Sequence, residues 1–129
     1  MFNFLRPSGP AGARVERMDA REAVAKAAAG EVVLIDVRDI SELRASGKAK
    51  GALHVPLMAL KMKADPASPD CLPELKAAQA AGKAVALYCA SGARSQGAGQ
   101  MMLQLGYAPV YNVGGLYDWH AAGGALVPA

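Results

Sequence analysis

Three runs of largely apolar residues constrain the fold of this chain more than any other feature. They are Val32-Val33-Leu34-Ile35, Ala84-Val85-Ala86-Leu87-Tyr88 and Val110-Tyr111-Asn112-Val113. A strand with one wet face alternates polar and apolar residues, whereas a near-continuous apolar run suits a strand covered on both faces. Parallel strands need long crossover connections, and the stretches between these runs have helical character. The fold class expected is therefore α/β, a three-layer arrangement with a mainly parallel sheet flanked by helices.

The intervening segments carry their own start and stop signals. Asp19-Ala-Arg-Glu22 has the form of a capping box opening an alanine-rich helix to about Ala29, with Gly30 at its end. A short helix is expected over Ser41–Ser46, stopped by Gly47, and a short strand over Ala52–Val55, broken by Pro56. Residues 57–63 read as helix, with Met58 and Met62 as core filler alongside Met101 and Met102. Asp65 to Cys71 is rich in turn residues and reads as a loop. Helices over Leu72–Ala81 and Ser95–Leu105 end at Gly82 and Gly106, and a last helix surrounds Trp119.

At 129 residues the chain fits one domain. Pro7, Gly9, Pro10 and Gly12 mark residues 1–14 as an irregular arm ahead of a domain over 15–129. The start, Met1-Phe2-Asn3-Phe4-Leu5-Arg6, lacks the basic lead and long apolar core of a signal peptide. No apolar run approaches the roughly 20 residues of a membrane span, so no membrane association is expected. The net charge of +3 is small and scattered, which argues against nucleic acid. His54, Cys71, Cys89 and His120 have no metal-ligand spacing, and neither a metal nor an organic cofactor is expected. Two cysteines make no disulfide framework, and a reducing cytoplasm is the expected setting.

The chemistry concentrates at Cys89. It stands at the end of an apolar strand and is followed by Ala90, Ser91, Gly92 and Ala93, then Arg94. In open α/β sheets ligands bind at the carboxyl ends of strands. Small residues let a loop curl so that backbone N–H groups converge on one atom, backed by a helix N-terminus. A thiol placed there is acidified. Arg94 adds a positive charge suited to an oxyanion. A buried structural cysteine before an ordinary turn is the competing reading at this stage.

Several blocks resemble the rhodanese family. Leu34-Ile35-Asp36-Val37-Arg38 is similar to its early strand and Asp-x-Arg turn, and Glu42-Leu43 to its glutamate followed by a bulky residue. Gly51-Ala52-Leu53-His54-Val55-Pro56 resembles its Gly-Ala-x-x-x-Pro block. Tyr88 to Ser95 resembles the active-site loop, and Gly114-Gly115-Leu116-Tyr117-Asp118-Trp119 the C-terminal signature. The resemblance implies a rhodanese-like five-stranded sheet with Cys89 as nucleophile. It implies that the amides of Ala90, Ser91, Gly92, Ala93 and Arg94 cradle a persulfide, and that Asp36, Arg38 and Glu42 give supporting contacts. Trp119 reads as a core anchor. Cys-x4-Arg matches the sulfurtransferase branch; the phosphatase branch resembles Cys-x5-Arg. Gly47-Lys48-Ala49-Lys50 departs from the family by lacking its usual His and Ile. Ala90 stands where some thiosulfate-selective members carry a basic residue, which leaves donor preference open.

The implied reaction is a double displacement, in which sulfane sulfur passes from thiosulfate or a similar anionic donor to Cys89. It then passes to cyanide or a thiol, and a protein could stand in for donor or acceptor. A non-catalytic binding module, and a redox protein pairing Cys89 with Cys71, are the rivals. Ser91 and Ser95 could donate hydrogen bonds to substrate or cap the helix. Ser95 joins the supporting residues and is expected as an ordinary helix N-terminal residue, His54 as a core or edge histidine, His120 as a surface residue and Cys71 as an incidental thiol.

Overall fold

A computed structural model describes residues 13–129, so most of the arm expected over 1–14 lies outside the described residues. In chain order the elements are β1 (Glu16–Arg17), α1 (Ala20–Ala28), β2 (Val32–Asp36), α2 (Ile40–Ser46), β3 (Lys48–Ala49) and β4 (Leu53–His54). A 3-10 turn over Leu57–Ala59 leads into α3 (Leu60–Ala64). Then follow α4 (Pro73–Ala81), β5 (Ala84–Cys89), α5 (Ala93–Gln104), β6 (Val110–Gly115), α6 (Leu116–Ala121) and β7 (Leu126–Val127).

The main sheet has five strands in the order β1-β6-β5-β2-β4, with every pairing parallel. The apolar runs become its centre, β6-β5-β2, and are covered on both faces as their patterning requires. On one face Ile35, Val85, Leu87, Cys89 and Val110 pack with Leu60, Leu75, Ala98 and Met102 from α3, α4 and α5. On the other, Val32, Leu34, Ala86, Tyr88 and Val113 pack with Ala23, Leu116 and Trp119 from α1 and α6. The two-residue pleat of β5 therefore decides where Cys89 points: with Val85 and Leu87, toward the α5 side.

Some expectations are corrected. Two short features have no counterpart in the sequence reading: the edge strand β1, and an antiparallel ribbon pairing β3 with β7. Two-residue strands carry too little pattern to stand out. The helix expected over 57–63 is a 3-10 turn followed by α3. Met58 and Met62 are not core filler: they are 98% and 46% exposed. Leu57, Leu60 and Ala64 take the inward positions, at the spacing of one helical face. Met102 is buried as expected. Asp19 caps α1 by accepting from the Arg21 amide, while Glu22 pairs with Lys26 rather than closing the capping box. Trp119 anchors the core and donates its indole N–H to the Ala125 carbonyl.

Candidate active site

Cys89 is the last residue of β5 and pairs in register with Gly115 of β6. The chain then turns through Ala90 and Ser91, and Gly92 (φ +105°) caps α5. That conformation costs a Cβ-bearing residue steric strain, which explains the glycine. Gly115 is required for a different reason: a Cβ there would overlap the Ala90 carbonyl outright, so the loop can cross only above a glycine. The Gly-Gly pair of the C-terminal signature is thus part of the floor of the Cys89 loop. α5 begins two residues earlier than the sequence indicated, which places Arg94 in its first turn.

The loop converges on sulfur. The Gly92 amide donates to Cys89 Sγ at 3.0 Å, and the Ser95 hydroxyl lies 3.4 Å from it. Burial pushes the Cys89 thiol up, but contacts from the Ser95 hydroxyl and from the Ser95, Gly92 and Ser91 amides outweigh it, and the net direction is down. Of the loop amides, that of Gly92 reaches the sulfur within hydrogen-bond distance. Ala90, Ser91 and Ala93 have exposed side chains, and Gly92 is buried.

Ser95 corrects the expectation of an ordinary helix-start residue. It is fully buried, contacts Cys89 Sγ and donates to Asn112 Oδ1 at 2.7 Å. Asn112 in turn donates to the Gly92 carbonyl at 3.0 Å, which ties the loop to β6. Sequence reading missed Asn112 because a lone asparagine in an apolar strand has no signature; its one signal was being polar inside that run.

Arg94 is not a free cation at the loop's end. Its guanidinium forks onto Glu42 of α2 at 2.7 and 2.9 Å. The Arg94 fork is the main reason the Glu42 carboxyl is held down at about 2; the Asp39 amide also contributes. Arg94 still lies close enough to Cys89 for the two charges to interact. Glu42 thereby links α2 to the first turn of α5.

Asp36 and Arg38 act further back. Arg38 donates to Asp36, to Ser46 Oγ at 2.9 Å and to the Gly47 carbonyl. The Tyr88 hydroxyl donates to Asp36 Oδ2 at 2.6 Å and accepts from the Ala49 amide at 2.9 Å. This network fastens the end of α2 and β3 to the sheet beside the residue that precedes Cys89. His54 contacts the Arg38 carbonyl at 2.7 Å from the edge strand, and His120 is exposed. A groove of about 440 Å³ opens beside Ala90, lined on its apolar side by Ala45, Leu116, Tyr117 and Leu126.

Both cysteines are free; Cys71 is half-buried and Cys89 buried. Cys71 lies in the loop ahead of α4, where its thiol donates to the Leu72 carbonyl at 3.6 Å, whereas Cys89 lies at the end of β5. Burial pushes the Cys71 thiol up and carries the net direction with it, whereas the net direction for Cys89 is down. Among the described residues no cluster of His, Cys, Asp and Glu could hold a metal, and no helix is long and apolar enough to cross a membrane.

The family profile of the rhodanese-like domain matches residues 19–122. The chain belongs to the rhodanese-like family. Solved structures of similar fold include a protein of unknown function from Rhodopseudomonas palustris, described as a possible tyrosine phosphatase. It is 31% identical, with a TM-score of 0.77 over 88% of this chain and 85% of that one. A rhodanese-related protein from Thermoplasma volcanium is 24% identical, with a TM-score of 0.66 over 88% of this chain and 99% of the other. A thiosulfate sulfurtransferase from Pseudomonas aeruginosa is 24% identical, with a TM-score of 0.64 over 88% of this chain and 20% of that one. No curated protein matches the sequence. The five-stranded parallel sheet with helices on both faces is the rhodanese-like fold.

Proposed function

We propose that this domain transfers sulfane sulfur through a persulfide on Cys89. The observation that carries the reading is the environment of Cys89 Sγ, held by the Gly92 amide at 3.0 Å within a Cys-x4-Arg loop that lowers the thiol pKa. A thiolate there needs no external base, which fits a loop with no histidine beside the sulfur. In the first half-reaction the thiolate attacks the outer sulfur of thiosulfate or a similar anionic donor. The donor's S–S bond breaks, and sulfite leaves with the electron pair. In the second, cyanide or a thiol attacks the outer sulfur of the Cys89 persulfide, and the Cys89 thiolate departs. A protein thiol can fill either role. No metal or organic cofactor enters either step. The reading suits a reducing, cytoplasmic compartment, where two unpaired thiols stay reduced.

A phosphatase reading is raised by the description of the Rhodopseudomonas relative. The loop argues against it, being one residue shorter than the phosphatase-like pattern, with its arginine engaged by Glu42. The redox reading with Cys71 is disfavoured because each thiol is engaged separately: Cys89 Sγ by the Gly92 amide and Ser95, and Cys71 Sγ by the Leu72 carbonyl. Intact-mass measurement after incubation with thiosulfate tests the proposal. One added sulfur atom is expected on wild type and on Cys71→Ser, and none on Cys89→Ser. An adduct that survives in Cys89→Ser, or aryl phosphate hydrolysis without sulfur uptake, would overturn it.

A further inference from the structure

Asn112 is buried on β6, and both ends of its side-chain amide are committed. Its Nδ2 donates to the Gly92 carbonyl at 3.0 Å, and its Oδ1 accepts from the Gly114 amide at 3.0 Å. A carbonyl can only accept and a backbone N–H can only donate, so these two contacts fix which way the amide faces. Oδ1 is therefore an acceptor, and its 2.7 Å contact with Ser95 Oγ uses the serine's single hydroxyl proton. The same Oγ lies 3.4 Å from Cys89 Sγ. With its proton given to Asn112, Ser95 can only accept from the Cys89 thiol. Once the thiol ionises, that contact can be kept only if the Ser95 proton turns from Oδ1 to Sγ.

We propose that Asn112 is a positioning residue that competes with the Cys89 thiolate for the one proton of the Ser95 hydroxyl, and so sets how readily Cys89 ionises. On ionisation the thiol proton leaves to solvent, and the Ser95 O–H rotates onto the sulfur. Asn112 Oδ1 then keeps only the Gly114 amide. If Cys89 takes up sulfur, a step that rests on the function proposed above, the negative charge moves to the outer atom. The hydroxyl then returns to Asn112, and its orientation alternates with the loading of the cysteine.

Charged groups around the loop come from several elements. They are Arg94 on α5, Glu42 on α2, Asp36 with Arg38 at the end of β2, Arg17 of β1 beside Gly92, and Asp118 of α6 bonded to the Gly115 amide. None changes in the alanine variants below, and the Ser95→Ala background separates the serine proton from loss of the Asn112–Gly92 bond.

The test follows thiolate ultraviolet absorbance against pH in a Cys71→Ser background, with Cys89→Ser as the blank. One hydrogen bond corresponds to about half to one pH unit. Ser95→Ala should raise the midpoint by that amount, and Asn112→Ala should lower it by a similar or smaller amount. The double variant should titrate as Ser95→Ala does. An Asn112→Ala midpoint that rises or stays in place overturns the proposal, as does a downward shift that persists undiminished without Ser95. Should Asn112→Ala fail to fold, Asn112→Asp keeps the acceptor oxygen and adds charge. It should raise the midpoint, and by less when Ser95 is absent; a fall, or an equal rise without Ser95, overturns the proposal. No sulfur donor is involved, so a failed thiosulfate experiment and a failed titration cycle are separate results.

Discussion

Two arginine–carboxylate pairs flank the Cys89 loop, and they differ in burial. Arg38 and Asp36 are 3% and 0% exposed, in contact at 2.8 Å. Arg94 and Glu42 are 35% and 31% exposed, in contact at 2.7 Å. Removing two charges from water costs several kcal/mol per ion, and the cost is offset only when every remaining donor and acceptor is satisfied. The inner pair meets that condition, with Ser46, Gly47 and Tyr88 completing its bonds. The outer pair keeps contact with water and needs no such enclosure. Similar chemistry at two depths therefore gives a fastening for the fold in one case and an adjustable contact beside the Cys89 loop in the other.

The largest effect should come from breaking the inner pair. Arg38→Met leaves the Asp36 carboxylate buried with Tyr88 as its remaining side-chain partner, and it releases the end of α2. A loss of about 3–5 kcal/mol is expected in denaturant unfolding. A loss below about 1 kcal/mol would mean that the two pairs are energetically alike and that depth does not separate them.

Arg94→Ala should separate them in the opposite way. An exposed pair contributes about 0–1 kcal/mol, so the fold should hold. Turnover with thiosulfate should fall about 10-fold, because a charge-assisted contact to the donor anion is lost while the Glu42 fork already engages part of the guanidinium. The pH profile of Cys89 alkylation by iodoacetamide should move little from that of wild type, since the loop amides and Ser95 remain. If both reactions fall together, Arg94 acts through the thiolate. If neither changes, the backbone alone supplies the positive end of the loop.

The same contrast explains what was legible in the sequence. Val32–Ile35 and Ala84–Tyr88 announced the central strands because burial on both faces leaves a continuous apolar record. Cys89, the small-residue loop and Arg94 were legible because they stand together in sequence between an apolar strand and a helix. The partners of polar groups were not. Nothing in one dimension says that Glu42 meets Arg94 or that Ser95 meets Asn112, since each pair joins elements distant in sequence, α2 with α5 and α5 with β6. Arg94 therefore read as a free charge and Ser95 as a cap. The short strands β1, β3 and β7 escaped for a related reason: their pairing depends on neighbours distant in sequence.

The smallest effect is the pH dependence of the outer pair. Glu42 is lowered from 4.5 to about 2 in the folded chain, chiefly by the Arg94 fork. A carboxyl whose folded pKa is depressed stabilises the fold fully above its unfolded value and loses that contribution as pH falls through the folded value. The stability difference between wild type and Glu42→Gln should thus be constant above pH 4.5, shrink between 4.5 and about 2, and vanish below. Its ceiling is under ~1 kcal/mol, because both partners remain in contact with water and salt screens them. Denaturant midpoints for the two proteins at several pH values, at low and high salt, would measure it. A difference that grows as the pH falls would show that the Glu42 charge opposes folding. A difference that ignores both pH and salt would show that Glu42 acts through its bond to the Asp39 amide, which glutamine can also accept in part, and not through Arg94.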